Sequence, residues 1–131
     1  MAVTASILLD TQFILWLRMT PQVLTAGERS VIDHATTRYL SVVSLMEIAI
    51  LLGCRRVPRS EDLLDVPAGF DLLPVRPDHC KGLASLPHHH RDPFDRMLIA
   101  QAQEEQVSLL TRDRLITLYR DNATILHNPA P

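Results

Sequence analysis

Four acidic residues stand where ligand sites commonly form, directly after a predicted strand or in the first turn of a predicted helix. They are Asp10, Glu47, Asp95 and Asp113. Carboxylates that gather within several ångströms repel one another, and loss of contact with water adds to the cost of their charge. Hard divalent cations such as Mg²⁺ or Mn²⁺ relieve this repulsion, because they prefer oxygen ligands. A cation held in this way can activate water and stabilise the transition state of phosphodiester hydrolysis.

The same acids have a structural interpretation as helix caps. Ser44 and Glu47 fit the S-x-x-E pattern of a capping box. Asp92 precedes Pro93 and fits an N-cap, which puts Asp95 in the first turn, where the helix dipole stabilises an anion. The other two acids fit ordinary N-caps. Because a parallel sheet gathers helix N-termini at one edge, convergence of the acids does not decide between the two interpretations.

Short apolar runs alternate with helical patterns along the chain. The predicted strands span residues 6–9, 38–43, 70–75, 107–110 and 124–126. The predicted helices span residues 11–17, 21–35, 44–52, 78–86, 93–106 and 113–119, with one or two further turns at 60–65. Strands that alternate with helices form right-handed crossovers and a parallel sheet covered on both faces. The sequence therefore predicts a three-layer α/β/α sandwich with a four- to five-stranded parallel sheet, whose ligand site lies beyond the carboxyl ends of the strands.

The length and composition predict a single domain over residues 1–131, with residues 128–131 as a frayed tail. The hydrophobic fraction of 47% excludes wholesale disorder, and the formal net charge of −2 excludes a globally basic nucleic-acid coat. The apolar stretch at 39–53 contains Glu47 and is shorter than the roughly 20 residues that cross a membrane. The N-terminal residues lack the pattern of a secretory signal. We therefore expect a cytoplasmic protein with no membrane partner.

Four segments of the chain resemble PIN-domain ribonucleases, and most closely the VapC-type toxins of bacterial toxin–antitoxin pairs. The segments are L-L-D-T at 8–11, S-V-V-S-L-M-E-I-A at 41–49, L-P-H-H-H-R-D-P-F-D-R-M-L-I-A-Q-A at 86–102, and L-L-T-R-D at 109–113. The third segment contains the long block H-x-D-P-F-D-R-x-L-I-A-Q-A, which is highly specific. The resemblance extends over nearly the whole length and supports a PIN-like fold.

The resemblance implies a metal-dependent endoribonuclease that cleaves RNA, acts as the toxin of a toxin–antitoxin pair and is inhibited by its cognate antitoxin. The implied ligands of one or two Mg²⁺ or Mn²⁺ ions are Asp10, Glu47, Asp95 and Asp113, with Thr111 supporting the fourth acid. One alternative is a PIN nuclease of RNA processing or DNA repair without an antitoxin. Another is a non-catalytic α/β binding module of response-regulator type. That module needs a lysine near the final strands, whereas the only lysine, Lys81, precedes the predicted helix at 93–106.

Several residues near the four acids are candidates for supporting roles. Asp92 is assigned mainly as a cap, with a minor role behind the metal ligands. Arg96 and Arg112 flank the acids in sequence, and guanidinium groups beside a metal can hold RNA phosphates. Arg91 and Arg114 lie in similar positions. The structural alternative for each arginine is surface solvation and pairing with a neighbouring carboxylate.

The three consecutive histidines at 88–90 invite a zinc interpretation, but neighbouring side chains do not easily converge on one ion. We predict a solvated loop in which one histidine touches the substrate or orients Asp92. Cys54 and Cys80 have no nucleophile context and are predicted to be small core residues.

Surplus apolar surface predicts protein partners. The mean hydropathy of +0.07 is high for a small isolated domain. The predicted helices at 11–17 and 44–52 are apolar over wide arcs, and surplus apolar surface commonly marks an interface. We therefore expect a homodimer that also captures a segment of a small antitoxin, as the resemblance implies.

Overall fold

Strands and helices alternate through the part of the chain that this computed structural model describes, residues 5–58 and 61–131. The strands are β1 (Ile7–Leu9), β2 (Arg38–Ser41), β3 (Asp71–Leu73), β4 (Ser108–Leu110) and β5 (Ile125–Leu126). The α-helices are α1 (Thr11–Met19), α2 (Ala26–His34), α3 (Val42–Gly53), α4 (Pro77–Ser85) and α5 (Pro93–Glu105). Short 3₁₀ turns lie at Pro21–Val23, Glu61–Leu64 and Ile116–Tyr119. Among the described residues, no helix combines the length and apolar character needed to cross a membrane.

The five strands form one parallel sheet in the order β3-β2-β1-β4-β5. Central β1 pairs on both sides, with Leu8 opposite Tyr39 of β2 and Leu109 of β4. The chain builds outward from β1 to β3 and then returns to the other side of β1, so the strand order reverses between β1 and β4. Such a switch point opens a crevice beyond the carboxyl ends of the two strands. The predicted α/β fold class with a parallel sheet is confirmed.

Apolar side chains cover both faces of the sheet, as parallel sheets require. Ile7 and Leu9 of β1 pack into one apolar cluster, together with Phe13 of α1. Leu8 points to the opposite face and packs into a second cluster with Leu98 of α5. Burial of each such side chain contributes about 1.5–3 kcal/mol. This packing fixes the position of β1 and therefore the position of Asp10, the residue that follows it.

The junction of β2 and α3 differs from the prediction. β2 ends at Ser41, whose hydroxyl accepts a hydrogen bond from the Val43 N–H at 3.0 Å and donates to Gln101 Oε1 at 2.6 Å. Ser41 is therefore the N-cap, although the two β-branched residues that follow it favoured a longer strand. The predicted capping box of Ser44 and Glu47 is wrong, because both residues lie inside α3, and Glu47 is in its second turn.

Two predicted helices are shorter in the structure. The predicted helix at 21–35 splits into a 3₁₀ turn and α2, because Thr25 and Glu28 form a reciprocal capping box that starts a new helix. The predicted helix at 113–119 reduces to the 3₁₀ turn Ile116–Tyr119. Of the turns predicted at 60–65, Glu61–Leu64 forms a 3₁₀ turn, and residue 60 lies outside the described residues.

The two cysteines are not core residues, contrary to prediction. Cys54 and Cys80 are both unpaired thiols and exposed. Cys54 follows the last residue of α3, where the helix has already left the core. In α4, His79 and Gly82 are the buried residues, which leaves Cys80 on the solvent side of the helix.

Candidate metal centre

A cavity of about 280 Å³ lies beyond the carboxyl ends of β1 and β4, where the strand order reverses. All four predicted metal-binding acids line it: Asp10, Glu47, Asp95 and Asp113. Asp10 links β1 to α1, Asp113 follows β4, and α3 and α5 supply the other two. The remaining lining residues are Thr11, Gln12, Leu15, Trp16, Leu51 and Arg112. The fold thus brings together acids from four separate parts of the chain.

Asp10 caps a helix and also lines the cavity. Its Oδ1 accepts a hydrogen bond from the Phe13 N–H at 3.0 Å, which caps α1. Its Oδ2 accepts one from Thr111 Oγ1 at 2.6 Å. Burial raises the pKa of Asp10 to about 6, although the Thr111 hydroxyl opposes the shift. For Asp10 the cap and ligand interpretations are therefore compatible.

Thr111 connects the two strand ends. Its buried hydroxyl donates to Asp10 and accepts a hydrogen bond from the Asp113 N–H at 3.0 Å. Asp113 Oδ1 accepts a further hydrogen bond from the Leu115 N–H at 2.9 Å. Thr111 thus supports both Asp10 and Asp113, whereas the sequence had linked it to the fourth acid alone.

Glu47 brings a carboxylate oxygen without a partner to the cavity. Its Oε1 is buried and has no hydrogen-bond partner among the residues that the structure describes. Burial raises the pKa of Glu47, a hydrogen bond with Thr11 opposes this shift, and the charge of Asp92 adds to it. An unsatisfied buried acceptor costs free energy, and a cation beside it would remove that cost.

Asp92, not Asp95, caps α5. Asp92 Oδ1 accepts hydrogen bonds from the N–H groups of Phe94 at 2.8 Å and Asp95 at 3.3 Å. The Asp95 side chain is therefore not needed as a cap. Burial raises the pKa of Asp95 to about 7, and the charges of Asp92 and Asp10 add to the shift. The stabilisation that a helix dipole offers an anion in the first turn is smaller here than the cost of burying that anion among like charges.

His90 lies among the acids, which the sequence did not predict. Its Nε2 is 2.9 Å from Asp95 Oδ2 and 3.1 Å from Asp113 Oδ2. His88 and His89 are exposed, as expected for a solvated loop, but the His90 side chain is only 10% exposed. The available signal was its position two residues before the cap Asp92, whose N–H lies 3.4 Å from His90 Nδ1.

Arg112 lines the cavity, and its guanidinium is already paired with a carboxylate. Its guanidinium donates to both carboxylate oxygens of buried Glu28, at 2.7 and 2.6 Å, and these bonds lower the pKa of Glu28. The same group lies over the ring of Trp16, 4.2 Å from its centroid. Arg112 therefore forms part of the cavity wall. The carboxylate that pairs with it is Glu28, which is not one of the four acids.

Arg96 is not brought to the four acids. Its buried guanidinium donates to the carbonyl oxygens of Pro87 at 2.8 Å and Leu86 at 3.4 Å, and to the Tyr119 hydroxyl at 3.0 Å. A buried guanidinium needs several acceptors, and these backbone carbonyls provide them. Its contacts hold the loop before α5.

The donor set at the cavity fits a hard divalent cation. The acids offer oxygen ligands, one of which is the unpartnered Glu47 Oε1. Burial raises the pKa values of Asp10 and Asp95, so a cation beside these carboxylates would stabilise their charged forms. One donor atom from each of His90, Asp95 and Asp113 lies within 4.8 Å of the other two. Carboxylate-rich sets of this kind suit Mg²⁺ and Mn²⁺.

A second group of histidine and carboxylates lies where α4 packs on α5. We call it the α4–α5 cluster, and its members are Arg76, Asp78, His79 and Glu105. Glu105 Oε2 is 2.8 Å from His79 Nε2 and forms an ion pair with Arg76. The backbone N–H of Arg76 donates a hydrogen bond to His79 Nδ1 at 3.0 Å. In this cluster the chain itself supplies the positive charge.

Comparison with known proteins gives a family and a set of similar structures. The sequence model described as PIN domain matches residues 7–120. No curated protein gives a significant match. The chain is similar in structure to VapBC2 from Rickettsia felis bound to a promoter DNA fragment, with a TM-score of 0.70, 12% identity, and coverage of 93% of this chain and 98% of that chain.

Two further solved structures are similar to the chain over most of its length. FitAcB from Neisseria gonorrhoeae has a TM-score of 0.66 and 19% identity, covering 92% of this chain and 96% of that chain. VapBC-5 from Mycobacterium tuberculosis, a member of the VapBC family of toxin–antitoxin systems, has a TM-score of 0.64 and 17% identity, covering 95% and 98%. These likenesses support the fold described above.

Proposed function

The chain belongs to the PIN domain family, and from this premise we propose that it is a metal-dependent endoribonuclease that hydrolyses RNA phosphodiester bonds as the toxin of a toxin–antitoxin pair. The observation that carries the proposal is the cavity at the β1–β4 switch point. Four carboxylates line it, one oxygen among them has no partner, and among the described residues none of the four forms an ion pair with arginine or lysine. A cation from solution would supply the missing charge.

In this proposal the four acids hold Mg²⁺ or Mn²⁺. When bound, the cation activates water and offsets the negative charge that develops on the scissile phosphate. Thr111 fixes the carboxylate of Asp10 and the backbone of Asp113 through its hydroxyl. Asp92 fixes the first turn of α5, and so the backbone that carries Asp95. The chain's own contribution is therefore to hold the ligands in place before the cation arrives.

The cavity also suits a nucleotide in its apolar part. Beside the acids it is lined by Leu15, half-buried Trp16 and Leu51. A nucleotide combines a phosphate with a flat ring, so a site with a cation-binding side and an apolar side matches both parts. This supports a nucleic acid as the substrate, and the RNA assignment follows the resemblance to VapC-type toxins.

Cleavage assays with controlled metal content test this proposal. We expect RNA cleavage to vanish in excess EDTA and to return with Mg²⁺ or Mn²⁺. Glu47→Gln should lower cleavage by orders of magnitude, because it removes a charged ligand, whereas the matched change Glu104→Gln, at an exposed residue of α5 that does not line the cavity, should leave cleavage unchanged. Full activity in EDTA contradicts the metal dependence, and cleavage of DNA but not RNA contradicts the substrate.

The proposal includes a cytoplasmic location, a homodimer and a small antitoxin partner. Exposed apolar side chains support protein partners: Met46 and Ile50 lie one turn apart on α3, and Leu115 and Leu118 lie beyond β4. The similarity to VapBC-5, a member of a family of toxin–antitoxin systems, supports an antitoxin as one of them. Light scattering that finds only monomer at micromolar concentration contradicts the homodimer. Failure of the product of the adjacent reading frame to co-purify contradicts the antitoxin.

A further inference from the structure

His90 is hydrogen-bonded to two of the acids, at a spacing that neighbouring ligands on one ion would also have. His90 Nε2 lies 2.9 Å from Asp95 Oδ2 and 3.1 Å from Asp113 Oδ2. In an octahedral centre with bonds of 2.0–2.1 Å, adjacent ligand atoms stand about 2.8–3.0 Å apart. The imidazole nitrogen is therefore already at ligand distance from two carboxylates that themselves line the cavity.

The backbone that carries His90 is held by a buried hydroxyl. Tyr119 is fully buried, and its hydroxyl oxygen accepts hydrogen bonds from the N–H groups of His89 at 3.0 Å and His90 at 2.9 Å. The same hydroxyl donates to the Pro87 carbonyl at 2.8 Å and receives a hydrogen bond from Arg96 at 3.0 Å. A loop that only faces solvent has no need of such anchoring, whereas a metal ligand needs a fixed backbone.

We propose that His90 Nε2 is a ligand of the metal centre, so that the centre has nitrogen as well as oxygen donors. This inference rests on the proposed function, because it assumes that the cavity binds a divalent cation. Imidazole suits transition metals better than Mg²⁺, so the mixed set should favour Mn²⁺ over Mg²⁺. Ligation through Nε2 requires the ring proton on Nδ1, so Nδ1 then no longer accepts the hydrogen bond from the Asp92 backbone N–H. At 3.4 Å that hydrogen bond is long.

Pulsed electron paramagnetic resonance of the full chain loaded with Mn²⁺ tests this directly. We expect a ¹⁴N coupling from one imidazole in the wild-type protein and in the matched control His88→Ala, whose side chain is exposed. We expect His90→Ala to lose the coupling while Mn²⁺ stays bound. In calorimetric titrations, His90→Ala should weaken Mn²⁺ binding at least about tenfold, the smallest loss typical even of residues behind the ligands, and weaken Mg²⁺ binding less.

Each remaining outcome has a defined meaning. Mn²⁺ bound without nitrogen coupling, or bound more tightly by His90→Ala, shows that His90 only fills the metal-free site. That result overturns this inference and leaves the proposed function standing. Wild-type protein that neither binds Mn²⁺ nor cleaves RNA overturns both. If His90→Ala fails to fold by circular dichroism, His90→Gln replaces it, because glutamine keeps a side chain of similar length and donates no imidazole nitrogen.

Discussion

The candidate metal centre and the α4–α5 cluster contain the same kinds of side chain and balance their charge in opposite ways. In the α4–α5 cluster, Arg76 pairs with Asp78 at 3.6 Å and also with Glu105, which contacts His79. In the metal centre His90 is near two of the acids, and Asp10 and Glu47 have no basic partner among the described residues. In the α4–α5 cluster an arginine of the chain balances the carboxylates, whereas in the proposed metal centre an external cation would have to do so.

The difference teaches that residue type alone does not identify a metal site. Both clusters offer three donor atoms within 4.8 Å of one another. What separates them is whether a guanidinium has been placed against the carboxylates. Arg112 lines the cavity of the proposed metal centre, but its guanidinium donates hydrogen bonds to both carboxylate oxygens of buried Glu28. The hydrogen bonds that this guanidinium donates to carboxylates therefore go to Glu28 and not to any of the four acids.

The largest expected effect is the loss of activity in Asp95→Asn. As a metal ligand Asp95 contributes one charge and one strong oxygen donor, so RNA cleavage with Mg²⁺ should fall by orders of magnitude. The melting temperature in metal-free buffer should hold or rise, because one like charge has left the cluster.

The matched control for this variant is Asp92→Asn. Asparagine caps a helix about as well as aspartate, so stability and cleavage should both change little. An Asp95→Asn protein that cleaves RNA at a rate near wild type would remove Asp95 from the metal centre and leave it as part of the helix N-terminus alone.

At the α4–α5 cluster the effect should be on stability and not on activity. Glu105→Ala removes the partner of buried His79 and of Arg76, so we expect a loss of about 1–3 kcal/mol in the free energy of unfolding. Chemical denaturation measures this loss. The control Asp121→Ala, at an exposed position outside this cluster, should change stability by no more than about 0.5 kcal/mol. A Glu105→Ala protein that folds stably but does not cleave RNA would break the comparison.

The two clusters should respond to pH with opposite sign, which is the smallest expected effect. The pKa values of Asp10 and Asp95 are raised to about 6 and about 7, so between roughly pH 4 and 7 the folded chain binds more protons than the unfolded chain. These groups therefore lower stability as pH rises through that window. Burial lowers the pKa of His79 below 6.5, so this group lowers stability as pH falls from about 6.5.

Melting temperatures recorded against pH in EDTA separate these contributions. Asp95→Asn should reduce the loss of melting temperature between pH 5 and 7, and His79→Gln should reduce the opposing loss on acidification. If Asp95→Asn leaves the pH profile unchanged, the carboxyl group of Asp95 does not have a raised pKa, and the claimed shortage of positive charge at the cavity is wrong.

The sequence predicts the parts of the site that depend on strand order. Asp10 and Asp113 each follow a short apolar strand, and parallel strands end at the same edge, so the sequence alone is enough to predict their convergence. The placement of Asp95 follows equally from Asp92 and Pro93, which mark the start of α5. Local pattern is sufficient in these cases because each acid is placed by the strand or helix next to it in sequence, and a parallel sheet brings the strand ends to one edge.

The features that the sequence missed depend on contacts between distant residues. The start of α3 is set by Ser41, whose hydroxyl is held by Gln101, 60 positions away. The position of His90 depends on the Tyr119 hydroxyl, 29 positions away. The Arg96 guanidinium donates hydrogen bonds to that same hydroxyl and to backbone carbonyls, and not to the acids near it in sequence. No local pattern carries this information.

The central claim is that the cavity at the β1–β4 switch point, and not the α4–α5 cluster, takes up a divalent cation. The most direct test is the melting temperature of the metal-free wild type, Asp95→Asn and Glu105→Ala during titration with Mn²⁺. A ligand that binds only the folded state stabilises it by about 2.7 kcal/mol at one hundred times its Kd. We predict a rising melting temperature for the wild type and Glu105→Ala, and little or no rise for Asp95→Asn. A wild type that does not respond, or a response lost in Glu105→Ala and kept in Asp95→Asn, would contradict the claim.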